Sequence, residues 1–280
     1  VGDRITAEFS AAIDQSLLSP DKIAQMVQVT QEGEVEALAE GGVDFDPATR
    51  ELSIELAEGF KPGALYVVVL NGLLAGPLRA VGEGDFSWQF QTPVPQLVDS
   101  TPDNQLSDVA TADNVIEAFF SHPIDEETLR IEGNVAVFKG GAKVEIDDSG
   151  IELLDEGRIA RFSLAPGLEA GSAYQIRIAA AVGGPRREGD YVWEFSTAVP
   201  VLIAANPADQ TEAVDVGLDA VELTFSAPID EVQRTPAHFV LSRGGQLVEL
   251  RSNDPIPLGD NTYALAPASG FEVGTRYQLQ

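Results

Sequence analysis

Apolar residues recur at every second position in many short stretches of the chain. Ile5, Ala7 and Phe9 alternate with Arg4, Thr6 and Glu8, and Val221, Leu223 and Phe225 alternate with Glu222 and Thr224. Phe86, Trp88 and Phe90 share one face of such a stretch, as do Tyr191, Trp193 and Phe195. A period of two predicts strands with one buried and one wet face, as in antiparallel sheets. One stretch, Leu17 to Val29, reads instead as a helical turn or two. Asp14, Asp125 and Asp230 are placed to cap such turns through their side-chain oxygens.

The pattern repeats. Phe9-Ser10-Ala11-Ala12-Ile13-Asp14 returns as Phe120-Ser121-His122-Pro123-Ile124-Asp125 and as Phe225-Ser226-Ala227-Pro228-Ile229-Asp230, at steps of 111 and 105 residues. Tyr66, Tyr174 and Tyr277 each follow a glycine three residues earlier, at Gly63, Gly171 and Gly274. Trp88 returns as Trp193, again 105 residues on, and proline-led openings stand at Thr101-Pro102-Asp103 and Asn206-Pro207-Ala208-Asp209. Four landmarks in one order at one period mark whole small domains in tandem, because the step is too long for a solenoid.

Units of about 100 residues, with short alternating strands separated by turn residues, predict an all-β chain of immunoglobulin-like sandwiches. The tyrosine after a tight Gly-x-x loop predicts a tyrosine corner, whose hydroxyl bonds upstream backbone. The expected units are 1–95, which lacks the first strand, 96–199, which is complete, and 200–280, which lacks the last strand. Two accounts of the incomplete ends stand side by side: a window from a longer array, or strands exchanged between neighbouring molecules into a filament. The connections Thr92-Pro93-Val94-Pro95 and Thr197-Ala198-Val199-Pro200 are short and proline-containing, which favours semi-rigid spacing.

These phrases together resemble the bacterial Ig-like domain of the S-layer-protein type: Phe-Ser-x-Pro-Ile-Asp, Leu-x-Pro before Gly-x-x-Tyr, and the closing Trp-x-Phe-x-Thr. Unit 1 departs from the pattern at Ala12 and at Ala57-Glu58, where its sisters have proline. The resemblance implies tandem modules in secreted or surface-anchored bacterial proteins, at the cell surface or outside it. It implies no catalytic residues. The expected function is that of a structural or adhesive repeat segment, with accessory modules of a large polysaccharide-degrading enzyme or a filament subunit as alternatives.

Composition narrows the chemistry. Acidic residues number 45 against 17 basic ones, for a formal charge of −28, which disfavours nucleic acid and anionic lipid as partners. Neighbouring Ig-like modules, in the same chain or in copies of it, are the expected partners, together with extracellular polysaccharide or protein. No apolar stretch is long enough to insert in a membrane. The chain has no cysteine, so disulfides and thiolate metal sites are excluded. Only Lys22, Lys61, Lys139 and Lys143 are lysines.

His122 and His238 are the first suspects for catalysis, yet His122 fills a slot held by alanine in both sister units, and neither histidine belongs to a catalytic motif. No enzyme activity is expected. Calcium is the one candidate cofactor, since acidic inter-unit loops offer hard oxygen ligands. The candidate ligands are Asp99, Asp103, Asp108 and Asp113 at one junction and Asp209, Asp215 and Asp219 at the other. Trp88 and Trp193 share a face with aromatics and are read as core, and Phe119, opposite Phe120, falls on an outer face.

Overall fold

A computed structural model describes residues 4–75, 84–147, 149–215, 217–229, 234–235, 237–252 and 254–280. Asp230 lies outside them. The expected all-β architecture of antiparallel sandwiches is found, in three successive units.

The middle unit has two four-stranded sheets. Its strands are β8 (Leu97–Thr101), β9 (Ile116–Phe120), β10 (Val135–Lys139), β11 (Ala142–Val144), β12 (Glu152–Leu154), β13 (Ile159–Phe162), β14 (Ala173–Ile178) and β15 (Tyr191–Ser196). One sheet runs β12-β13-β9-β8 and the other β11-β10-β14-β15. The inward residues of both meet in one core: Ile116, Ala118 and Phe120 from β9 face Tyr174, Ile176 and Ile178 from β14, with Tyr191, Trp193 and Phe195 from β15. Burial of every second residue on these strands is the alternation read in the sequence.

The first unit comprises β1 (Arg4–Glu8), β2 (Val27–Gln31), β3 (Glu34–Val35), β4 (Leu38–Asp46), β5 (Glu51–Leu56), β6 (Leu65–Leu70) and β7 (Phe86–Gln91), in sheets β1-β5-β4 and β3-β2-β6-β7. Among the described residues, no strand takes the place of β8 there. The third comprises β16 (Leu202–Asn206), β17 (Val221–Phe225), β18 (Leu241–Arg243), β19 (Gln246–Leu247), β20 (Ile256–Gly259), β21 (Thr262–Leu265) and β22 (Tyr277–Leu279), in sheets β16-β17-β21-β20 and β19-β18-β22. There, among the described residues, nothing takes the place of β15.

The stretch from Leu17 to Val29 resolves into two turns and a strand. A 3-10 turn at Gln15–Leu18 and a single α-turn, α1 (Ile23–Met26), lead into β2. Asp14 caps the first turn by accepting from the Ser16 amide at 3.0 Å. Asp125 caps the α-turn α2 (Glu126–Leu129) by accepting from Thr128 at 2.7 Å. Each acid satisfies an orphan donor at the start of its turn.

The aromatic readings divide. Trp193 is fully buried and Tyr174 stacks on Phe195 at 5.4 Å. Trp88 is only half-buried and Phe86 is 42% exposed. The cause is local. In the middle unit the opening segment runs along β15, with the Gln105 amide on the Glu194 carbonyl and the Ser196 amide on Leu106, and it covers that edge. No described segment covers β7 in the same way. Phe119 pairs with Ile159 on one side and Asp99 on the other, one residue before the end of β9.

Candidate functional site: the joint between the first two units

The joint begins with the tyrosine corner. The Tyr66 hydroxyl accepts from the Lys61 amide at 2.8 Å, and the Thr92 hydroxyl donates to the Lys61 carbonyl at 2.7 Å. The same pair recurs in the second unit, where Tyr174 accepts from Glu169 at 2.8 Å and Thr197 donates to Glu169 at 2.6 Å. In the third, Tyr277 accepts from Glu272 at 2.9 Å. The corner therefore fixes the backbone of one residue, five before the tyrosine, at the end of each unit. Only in the first is that residue a lysine.

Held this way, the Lys61 side chain crosses to the second unit. Its Nζ lies 3.4 Å from Asp125 Oδ2 and 3.3 Å from Glu127 Oε2, and 3.7 Å from Glu58 Oε2 of its own unit. The pair is sheltered, with side chains 26% exposed for Lys61 and 10% for Asp125. Burial pulls the ammonium pKa down. The Asp125 charge and the hydrogen bonds that Lys61 donates to Glu127 and Asp125 outweigh it, so the Lys61 pKa is raised. For Asp125, burial pushes the carboxyl up, but the Thr128 hydrogen bonds and the Lys61 charge win and its pKa is lowered.

Asp125 is itself anchored. Its amide donates to the Val182 carbonyl at 3.1 Å, which ties it to a 3-10 turn at Ala180–Gly183. That turn is the second half of the joint. The Arg186 amide, just beyond it, donates to the Gly63 carbonyl at 3.1 Å. Gly63 (φ +55°) and Gly184 (φ +89°) meet backbone to backbone: a Cβ on Gly184 would overlap the Pro62 carbonyl oxygen, and one on Gly63 the Gly183 carbonyl oxygen. Glycine at both places permits the left-handed backbone and the approach together.

The connecting segment is fastened at the same time. The Tyr191 hydroxyl donates to the Pro95 carbonyl at 2.8 Å, and Arg187 lies over the Tyr191 ring at 4.1 Å while donating to Gln96 Oε1 at 2.8 Å. Pro95 is buried as a result.

The second joint differs. Glu169, in the place of Lys61, turns back to an ion pair with Lys139 of its own unit. Val199, the counterpart of Val94, is 64% exposed.

The residues singled out in the sequence fall elsewhere. Asp99 spends an oxygen on the Ser100 amide, Asp215 on the Gly217 amide, and Asp219 pairs with Arg251 at 3.6 Å. Asp103, Asp108, Asp113 and Asp209 are exposed. Among the described residues, no group of three His, Asp or Glu side chains is placed to hold a metal ion. His122 contacts Ser121 and His238 contacts Thr235, through Nδ1 in both cases. A cleft of about 670 Å³ on the outer face of β10, β14 and β15 is lined by Phe138, Gln175 and Glu194, with Glu194 as its one carboxylate. No described helix is long and apolar enough to cross a membrane.

What sequence reasoning missed is the latch. Its signal was present: a scarce lysine at a position where both sister units carry glutamate.

Comparison with known proteins bears on the middle unit. The sequence has no match among curated proteins. In structure the chain is similar to the N-terminal part of the bacterial S-layer protein SbsC, at 14% identity over 66% of this chain and 43% of that one, with a TM-score of 0.30. It is similar to the LD transpeptidase LdtMt1 in complex with imipenem, at 10% identity over 60% of this chain and 59% of that one, TM-score 0.28. It is also similar to the I9-I11 tandem from titin, at 8% identity over 91% of this chain and 82% of that one, TM-score 0.32. The chain thus spans 43% and 59% of the length of the first two. The family model of the bacterial Ig-like domain matches residues 91–197. That segment, which matches the bacterial Ig-like model, carries β8 to β15 and the turn that closes the joint.

Proposed function

We propose that this chain is a non-catalytic structural segment of a secreted or surface-anchored bacterial protein, and that its work is to space and orient Ig-like units. One observation carries the reading. The first two units meet through a built joint, in which a corner-held lysine, two facing glycines and a tyrosine on the linker carbonyl leave little room for rotation. A spacer needs that property, because a stiff joint transmits direction and force from one unit to the next. The acidic surface supports the same reading, since a charge of −28 keeps projecting modules apart from one another and from anionic polymers.

The test is rotational. Residual dipolar couplings on a sample of residues 1–199 should fit one alignment tensor for units 1 and 2. Two independent tensors would overturn the spacer reading. Surface location is tested separately: protease added to intact cells should cleave the full-length protein, and complete protection would remove the extracellular assignment.

A further inference from the structure

The middle unit carries a cleft on its outer surface that no part of the joint uses. It lies along one row of side chains across the sheet β11-β10-β14-β15, in which Lys143, Phe138, Gln175 and Glu194 stand opposite one another in register. Val135 and Val137 of β10 lie in the core, so the alternation turns Phe138 outward, where it is half-buried. Two positions along the strands come Gly140, Ala173 and Ser196, and these small side chains leave room beside the row. The segment of Gln105 and Leu106 forms the bank along β15, fastened to Glu194 and Ser196 by backbone bonds of 2.6 and 2.9 Å. The resulting volume of about 670 Å³ falls in the ~300–1,000 Å³ range of small-ligand sites.

Two observations define what the cleft can hold. Phe138 stands opposite the residue that follows the corner tyrosine, and at that place the first and third units carry Thr30 and Ser242. The sheet therefore accepts a small hydroxyl side chain there, and the fold does not require an outward ring. The neighbouring planar side chains are also unengaged. On the opposite sheet Glu117 pairs with Arg161, and one row along Arg177 pairs with Asp190 at 3.0 Å. Among the described residues, no hydrogen bond or ion pair engages the side chains of Gln105, Gln175 or Glu194. Lys143 is three strands from Glu194, roughly 14 Å at the usual strand spacing.

An aromatic ring beside flat amide and carboxylate groups complements a sugar. The ring takes a C–H face, and the planar groups accept from and donate to neighbouring hydroxyls. Charge narrows the class, since Glu194 and a net charge of −28 repel anionic glycans. A wholly apolar ligand would cover three polar side chains without giving them partners, which is costly. We infer that this cleft binds a neutral polysaccharide chain, with Phe138 stacked on one sugar ring and Gln105, Gln175 and Glu194 bonded to its hydroxyls. The inference goes beyond the spacer reading and does not rest on it, because it uses one outer face and leaves the joint untouched.

The experiment titrates the full 280-residue chain with neutral hexasaccharides of glucose, N-acetylglucosamine, mannose and xylose, and follows the backbone amides by NMR. The expected result is saturable binding of at least one of them, with shifts at Gly140, Gln175, Glu194 and Ser196. The matching positions of the first unit, Val67 and Gln89, should not respond. Added salt should change the affinity less than twofold, because a neutral ligand has no charge to screen. Phe138→Ser, which copies the third unit, should weaken binding at least tenfold with tryptophan fluorescence unchanged. Gln175→Ala, at an exposed position, should weaken it at least threefold, so the test does not depend on the ring's part in folding. No saturable binding by any of the four, equal binding by Phe138→Ser, or tighter binding of hexalysine at Glu194 would overturn the inference. Concentration-dependent self-association that shifts the same amides would assign the cleft to a second copy and overturn it as well.

Discussion

Lys61 Nζ stands 3.4 Å from Asp125 Oδ2 across the boundary between two sandwiches, and each residue is held by its own unit before the two meet. Tyr66 and Thr92 pin the lysine backbone, while Thr128 and the Val182 carbonyl pin the aspartate. The backbone at both ends is fixed before the pair forms, and the shelter of both side chains, 26% and 10% exposed, separates it from an ion pair on an open surface.

The first prediction concerns this pair. Lys61→Met and Asp125→Asn should each loosen the joint while leaving both sandwiches folded. A double-mutant cycle on the unfolding of residues 1–199 should return a coupling of about 1–2 kcal/mol. Lys61→Glu should go further, because it places a fourth carboxylate among Glu58, Asp125 and Glu127. Small-angle scattering should then show a larger maximum dimension.

The joint should also depend on pH at both ends of the scale. Asp125 has a lowered pKa in the folded protein, so its contribution is present above the unfolded carboxylate value of about 4 and is lost as pH falls through the folded value. Lys61 has a raised pKa, so its contribution is present below the unfolded value of about 10.4 and disappears as pH rises through the folded value. Inter-unit couplings should therefore hold from about pH 5 to pH 9 and be lost on the acid side only below about pH 4, as pH falls through the lowered Asp125 value. Asp125→Asn should abolish the acid-side transition of the joint.

Gly184→Ala should disturb the same boundary by contact alone. The added methyl meets the Pro62 carbonyl, and the residue must keep a φ of +89°. The φ requirement alone costs about 1 kcal/mol, and the collision is relieved by parting the units. Loss of the single alignment tensor, with the heat-unfolding transition of the isolated second unit little changed, is the expected outcome.

The corners should rank by burial. Tyr174→Phe leaves the Glu169 amide without its acceptor in a sheltered place and should cost about 1–3 kcal/mol. Tyr277→Phe removes the equivalent bond at a half-buried site and should cost less, about 1 kcal/mol or below. Denaturant titration of each variant at pH 7 decides the order.

The two tryptophans should separate in the same manner. Trp193→Ala empties a fully buried site and should cost about 3–5 kcal/mol. Trp88→Ala, on an edge that no described segment covers, should cost markedly less in the same titration.

Much of this was legible from the residues. Alternation gave the strands, and the recurrence of Phe9, Phe120 and Phe225 gave the units, because a strand with one wet face must place apolar residues at every second position whatever lies beyond it. The caps at Asp14 and Asp125 and the corners at Tyr66, Tyr174 and Tyr277 were equally readable, since each bond spans only a few residues. The acids proposed for calcium were not resolvable this way. Their spacing along loops says nothing about convergence, and the structure spreads those it describes among turn bonds, one ion pair and solvent.

The sequence by itself determined the sandwich units, their period and the devices that hold each one together, because those depend on local periodicity and short-range hydrogen bonds. Only the tertiary structure decided that Lys61 reaches Asp125 and that Gly63 faces Gly184. The partners in the two pairs are 64 and 121 positions apart. Contacts at such separations follow from how one folded surface rests on another, and nothing in the local pattern fixes that.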